Sequence, residues 1–273
     1  MKTEKLSKYL PKLEGTIGDS EIYIIEGEEE GGSLLIIGGT HPNEPAGQLT
    51  SILFLENLEV KKGKVFIITE ANRSAYAHSY PQEGAPFFYT IETNYGERKF
   101  KFGARATSPS DQWPFPDVYV HKSSGQKMSS HDTRNLNRAY PGDPNGTYTE
   151  QVAYAIKELI VQNDITITID LHESLNNYLN PPYIGNQVIA GNPKSAFYAM
   201  SLVAEFNQKY QTPNNVPFIK DEKPKDGSIN QYCSQDQNRI VFTFETDRSL
   251  KLEERIRQQL TLIDIFLNQI KPS

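Results

Sequence analysis

"LLIIGGTHPNEPAG", residues 34–47, is the stretch whose reading decides the fold. Its first four residues are all aliphatic. A continuous apolar run, without polar alternation, is the mark of a strand covered on both faces. Gly38 and Gly39 end that run, and His41, Pro42 and Glu44 follow before a helical pattern begins over residues 46–58. In that pattern Leu49, Leu53 and Phe54 are expected to share one buried face. Strand, polar turn and helix in this order form the unit of a parallel α/β sheet, in which ligands gather at the carboxyl ends of the strands. The loop at 38–45 is therefore expected to carry function, because a core strand delivers a histidine and a glutamate to its own end.

The same rhythm continues outward. Strand-like runs at 21–27, 64–72, 165–174 and 239–247 alternate with helical patterns at 149–163, 195–210 and 250–270. Thr149 is expected to cap its helix, with Glu150 in the first turn. The expectation is one α/β domain over residues 1–273, a mostly parallel mixed sheet with helices on both faces. Residues 73–133 break the pattern. They are rich in Pro, Gly and aromatics and hold the only tryptophan, Trp113. Such a segment reads as a lid or small insertion, with a hairpin in 86–102.

Composition narrows the chemistry. Hydrophobic residues make up 37% and charged residues 23%, so the chain is globular, not disordered. A net charge of −6 without a Lys/Arg block argues against nucleic acid and anionic membrane as partners. Cys233 is the one cysteine, so neither an internal disulfide nor an all-thiolate metal site is open to this chain. Cys233 itself is expected to be a small buried residue. Any metal must be held by His, Asp or Glu. No apolar run approaches the ~20 residues of a membrane span. The first 13 residues, "MKTEKLSKYLPKL", lack the apolar stretch of a signal peptide, so the expected location is cytoplasmic, a trimmed leader aside.

Three strand-like runs end in candidate ligands: the run 33–39 at His41 and Glu44, the run 165–170 at Asp170 and His172, and the run 239–245 at Glu245. Two imidazoles and a carboxylate form a catalytic zinc set that leaves a fourth position for water. His78, His121 and His131 fall in the irregular segment and are expected at the surface.

Four blocks in order, "GGTHPNEPAG", "RNLNRAYPG", "TIDLHES" and "FTFETD", resemble those of the zinc carboxypeptidase superfamily, nearest the succinylglutamate desuccinylase/aspartoacylase family, whose members carry G-G-x-H-G-N-E, D-L-N-R-x-F-P-G and D-x-H. The resemblance covers His41 to the C-terminal helix. It implies a zinc ion on His41, Glu44 and His172, with Glu245 as the general base that activates the zinc-bound water. It also implies Asn137 and Arg138 as a clamp for a substrate carboxylate, since a guanidinium binds a carboxylate as a planar fork. The implied activity is hydrolysis of an amide next to a free carboxylate, on a small N-acyl amino acid or on a peptide C-terminus. A ligand-binding module without turnover is the alternative from another class. Aspartoacylase-type enzymes carry a further C-terminal β-domain; this chain ends at the helix over 250–270, so a more open cleft is expected.

The sequence departs from the family at several points. Pro42 stands for a glycine, Asn135 for an aspartate, and Ser130 where the oxyanion-binding arginine is expected. Arg134 is the nearest substitute for that arginine, with Arg73 and Arg105 as rivals. "FTFETD" and "DGSINQY" lie closer to the peptidase branch. Tyr232 is expected to line the pocket near Glu245, and Asp170 either orients His172 or shapes the strand end.

Overall fold

The computed structural model describes residues 1–77, 88–121, 124–174, 185–210 and 218–270. The chain opens with β1 (Lys2–Lys5), β2 (Glu21–Glu26) and β3 (Glu29–Ile37), followed by α1 (Pro45–Asn57), β4 (Lys62–Ile68) and the short α2 (Arg73–Tyr76). Two hairpins come next: β5 (Phe88–Thr93) with β6 (Gly96–Lys101), and β7 (Val118–Val120) with β8 (Lys127–Ser129). Then follow α3 (Tyr148–Gln162), β9 (Ile167–Ser174), β10 (Gln187–Ile189), α4 (Pro193–Lys209), β11 (Ile219–Asp221), α5 (Ile229–Cys233), β12 (Ile240–Asp247) and α6 (Leu252–Ile270). The hairpin expected within 86–102 is thus formed by β5 and β6. No helix among the described residues is long and apolar enough to cross a membrane.

Eight strands make one mixed sheet in the order β1-β2-β4-β3-β9-β12-β10-β11. Its centre, β4-β3-β9-β12, is parallel, and β2 and β10 join it antiparallel on either side. Alternation along each central strand sends side chains to two cores. Leu35, Ile37, Phe66, Ile68 and Val241 pack with Ile156, Leu159 and Ile160 of α3. Leu34, Ile36, Ile169, Leu171, Phe242 and Phe244 pack with Phe54 of α1, Leu202 and Phe206 of α4, and Leu262 and Phe266 of α6. Both faces are covered, as the apolar runs require.

Two local expectations shift. The cap of α3 is Thr147, not Thr149: its side chain accepts from the Glu150 N–H while Glu150 accepts from the Thr147 N–H, a complete capping box. Thr149 is the second residue of the helix and is buried on Gln112 and Thr107. On α1 the buried face is Ala46, Gly47, Thr50, Ser51 and Phe54, while Leu53 is exposed. His172 and Glu245 lie inside β9 and β12, within the strand-like runs expected at 165–174 and 239–247.

The close approach of α1 has a specific cause. A Cβ on Gly47 would come within 2.5 Å of the Leu171 carbonyl oxygen. Only glycine lets the first turn of α1 lie on β9 beside His172. Gly39, at φ +69°, turns the chain between β3 and that helix. Gly47→Ala is expected to destabilise the protein by about 1–3 kcal/mol through overpacking. A urea-unfolding midpoint equal to wild type would contradict this packing account.

Candidate metal centre and its cavity

The turn after β3 brings His41 and Glu44 over the sheet, and β9 brings His172. Their ligand atoms lie within 4.8 Å of one another, and all three residues are buried. Glu44 stands at the N-cap of α1, yet its side chain makes no capping bond. Its carboxylate turns inward instead. Oε1 lies 3.0 Å from His41 Nδ1, and Oε2 lies 2.9 Å from His172 Nδ1. Oε2 also accepts from the Glu173 backbone N–H at 3.0 Å, and the Arg105 and Arg248 guanidinia contact Oε1 at 2.9 and 3.2 Å. Burial pushes the Glu44 carboxyl up, but His41 and His172 outweigh it and hold the group well below the usual carboxylate range.

The outer ring nitrogens are tied as well. His172 Nε2 pairs with Asp170 Oδ2 at 2.7 Å, and Asp170 Oδ1 accepts from the Thr40 hydroxyl at 2.8 Å. His41 Nε2 pairs with Asn135 Oδ1 at 2.9 Å. The two imidazoles therefore sit in unlike fields. Burial, with Arg105 nearby, pulls His41 down to about 4. For His172 burial works in the same direction, but Asp170 and Glu44 overcome it and raise the group well above its ordinary value. The donor set fits zinc: two imidazole nitrogens and a carboxylate oxygen face a common point, each ring braced by a partner behind it.

The triad opens onto a cavity of about 370 Å³ whose walls include Arg105, Asn137, Arg138, Lys225, Glu245 and Arg248. Glu245 pairs in register with His172 on the adjacent parallel strand, which puts both side chains on the same face of the sheet. Burial pushes Glu245 up to about 7 against the pull of His172. Asn137 and Arg138 occupy a 3-10 turn, Leu136–Arg138. The Asn137 side-chain oxygen is buried without a hydrogen-bond partner. Arg138 Nη1 donates to the Asn137 carbonyl at 2.7 Å, and among the described residues no carboxylate lies within ion-pair distance of Arg138. Burial pulls its pKa down, with Asp132 the main opposing charge.

The structure thus brings together His41, Glu44, His172, Glu245, Asn137 and Arg138. It does not bring Arg134 or Tyr232 to them. The Arg134 guanidinium is buried against the Thr107 carbonyl and lies over the Phe115 ring, 5.4 Å from its centroid. The residue packs the irregular segment onto the domain and does not line the cavity. Tyr232 packs on the α3 side of the sheet and lines a separate depression with Cys233, Gln235, Asp236 and Arg239. Arg105, a rival for the arginine role, is the one at the centre, while Arg73 is near Glu70. Arg248 is a further cavity residue that sequence reasoning missed. Its signal was faint, a single arginine three residues after Glu245. Asp170, left unassigned, braces His172, two residues along the same strand face. His121 is a correction: it is buried, with Nε2 2.6 Å from the Tyr140 carbonyl oxygen. His131 is partly exposed, and His78 lies outside the described residues. Cys233 is buried, and burial pushes its thiol up to about 12, which suits packing and not nucleophilic chemistry.

No family model matches the chain. A curated relative, the N-alpha-acetyl-L-2,4-diaminobutyric acid deacetylase of Halomonas elongata, is 34% identical over 68 residues, which is 24% of this chain and 19% of that protein. Among solved structures, the tripeptide-bound cell shape determinant Csd4 of Helicobacter pylori superposes with a TM-score of 0.61 at 16% identity, covering 92% of this chain and 55% of that one. An aspartoacylase family protein from Mesorhizobium loti gives 0.54 at 18% identity, covering 93% and 63%. A succinylglutamate desuccinylase from Silicibacter sp. TM1040 gives 0.52 at 14% identity, covering 90% and 60%. The chain spans less than two thirds of the length of each of these proteins. At such identities the likeness is one of fold, and it agrees with the sequence resemblance: the chain has the α/β fold shared by aspartoacylase and succinylglutamate desuccinylase proteins and by the Csd4 carboxypeptidase.

Proposed function

We propose that this protein is a zinc-dependent amidohydrolase that cleaves an amide bond next to a free carboxylate, on an N-acyl amino acid or on the C-terminal residue of a short peptide. The observation that carries the reading is the convergence on one cavity of a buried His-Glu-His set, a glutamate in register beside it, and an Asn-Arg pair. Zinc on His41, Glu44 and His172 would supply Lewis acidity and a water of lowered pKa.

The chain's own residues account for the rest. Glu245 takes the proton of the attacking water and passes it to the leaving nitrogen; a carboxylate near pH 7 suits both halves of that task. Arg138 receives the substrate carboxylate as a fork, and the Asn137 side-chain NH2 donates to the same carboxylate as a neutral contact. Arg105 replaces Arg134 as the group that faces the oxygen on which charge develops. Its guanidinium is partly exposed to the cavity while contacting Glu44.

The peptide reading has support of its own. One Csd4 structure holds a tripeptide, and another, of Csd4 as a D,L-carboxypeptidase, is an mDAP-bound form. The "DGSINQY" and "FTFETD" segments also lie nearer the peptidase branch. A binding module without turnover is disfavoured, because ligands, base and clamp are all present together.

A matched pair of substrates, one a free acid and the other its amide, tests the function. Wild type should cleave the acid far faster, and Arg138→Ala should lose about 2–5 kcal/mol on the acid alone. Equal cleavage of acid and amide by wild type would rule out the clamp and with it an exo-acting hydrolase. For the oxyanion role, Arg105→Ala should lower kcat by about 100-fold with little change in KM. Arg134→Ala should act on stability instead; a selective kcat loss in that variant would return the role to Arg134.

A further inference from the structure

The two imidazoles of the triad are braced differently, and the difference lies in one residue. His172 rests directly on a carboxylate, Asp170. His41 rests on an amide, Asn135, at the position where the sequence departs from the family's aspartate. The carboxylate is not lost; it is one hydrogen bond further out. Asn135 Nδ2 donates to Asp132 Oδ1 at 2.9 Å.

The amide's orientation follows from its neighbours. Asn135 Oδ1 accepts from the Asn137 backbone N–H at 2.9 Å. A backbone N–H can only donate, so the atom facing it must be the oxygen. The same oxygen meets His41 Nε2, which must then carry the hydrogen. That leaves the lone pair of His41 on Nδ1, the nitrogen that faces Glu44. The main chain of Asn135 does a second job: its carbonyl accepts from the Arg138 N–H at 2.9 Å. Asn135 therefore holds the backbone N–H groups of both clamp residues. It is itself 1% exposed, whereas Asp132 is partly open to solvent.

We propose that Asn135, backed by Asp132, is a positioning residue: it fixes His41 as the Nε2–H tautomer for metal binding and ties that ligand to the Asn137–Arg138 clamp. The inference rests on the reading of His41, Glu44 and His172 as a zinc site. It goes further in assigning to an Asp132–Asn135 relay the role that a single carboxylate, Asp170, plays for His172.

The test is zinc affinity, measured by competition with a chromophoric chelator, together with long-range ¹H–¹⁵N spectra of the histidine rings in metal-free protein. Asn135→Ala should weaken zinc by about 10- to 100-fold, the usual effect of removing a group that braces a metal-ligating histidine. His41 should lose its single Nε2–H tautomer in the same variant. The exchange pair Asp132→Asn with Asn135→Asp keeps all three side-chain hydrogen bonds and moves the carboxylate onto His41. It should bind zinc at least as tightly as wild type, and it serves as the second arm should Asn135→Ala fail to fold. Wild-type zinc affinity in Asn135→Ala, or weaker binding in the exchange pair, would overturn the relay while leaving the zinc site standing. A wild-type protein that takes up no zinc would overturn both.

Discussion

A carboxylate removed from water keeps its charge only if cations or donors surround it, since desolvation costs several kcal/mol per ion. Glu44 is 3% exposed, and the His-Glu-His set is built by the groups that surround its two oxygens. The His172 imidazole, two guanidinia and one backbone N–H converge on it, and His41 faces it with Nδ1. Each arrives by a different route: His41 from the same turn, His172 from β9, Arg105 from the irregular segment, Arg248 from beyond β12. The fold is the means of assembling those routes. Parallel β3, β9 and β12 bring their carboxyl ends together, and Gly47 lets α1 begin against β9.

The electrostatics of the pair explain why the histidines are not equivalent. His41 has Arg105 nearby and a neutral amide behind it; His172 has a carboxylate on each side. A lone pair on His41 Nδ1 facing a carboxylate oxygen at 3.0 Å is an arrangement of two acceptors that a cation between them would satisfy. This is the sense in which the donor set asks for a metal. Glu245 stands one strand away, close enough to share the field of the triad and outside the set of atoms that converge.

The parts of this arrangement legible in the sequence were those written locally. The apolar runs marked β3, β9 and β12 because both sheet faces are covered. The glycine-bounded turn marked His41 and Glu44, and the strand contexts of His172 and Glu245 placed them on one edge. The parts that were not legible depend on where a long irregular segment returns. Arg105 and Arg134 are 29 residues apart in the same region of chain. Spacing from Asn137 favoured Arg134, but the 3-10 turn at Ser130–Arg134 aims it at Thr107 and Phe115. Tyr232 was read as near Glu245, yet α5 turns it to the α3 side of the sheet. Leu53 was expected on the buried face, yet that face runs through Ala46, Thr50 and Phe54, and Leu53 falls on its flank.

The central claim separates two roles: His172 belongs to the zinc set and Glu245 to proton transfer. Zinc content per chain, measured by mass spectrometry on purified Glu245→Gln and His172→Ala beside wild type, tests this directly. The account expects one zinc in wild type and in Glu245→Gln, with turnover in the latter lower by at least ~100-fold, and near-complete loss of zinc in His172→Ala. Stoichiometric zinc in His172→Ala, or loss of zinc in Glu245→Gln, would contradict it.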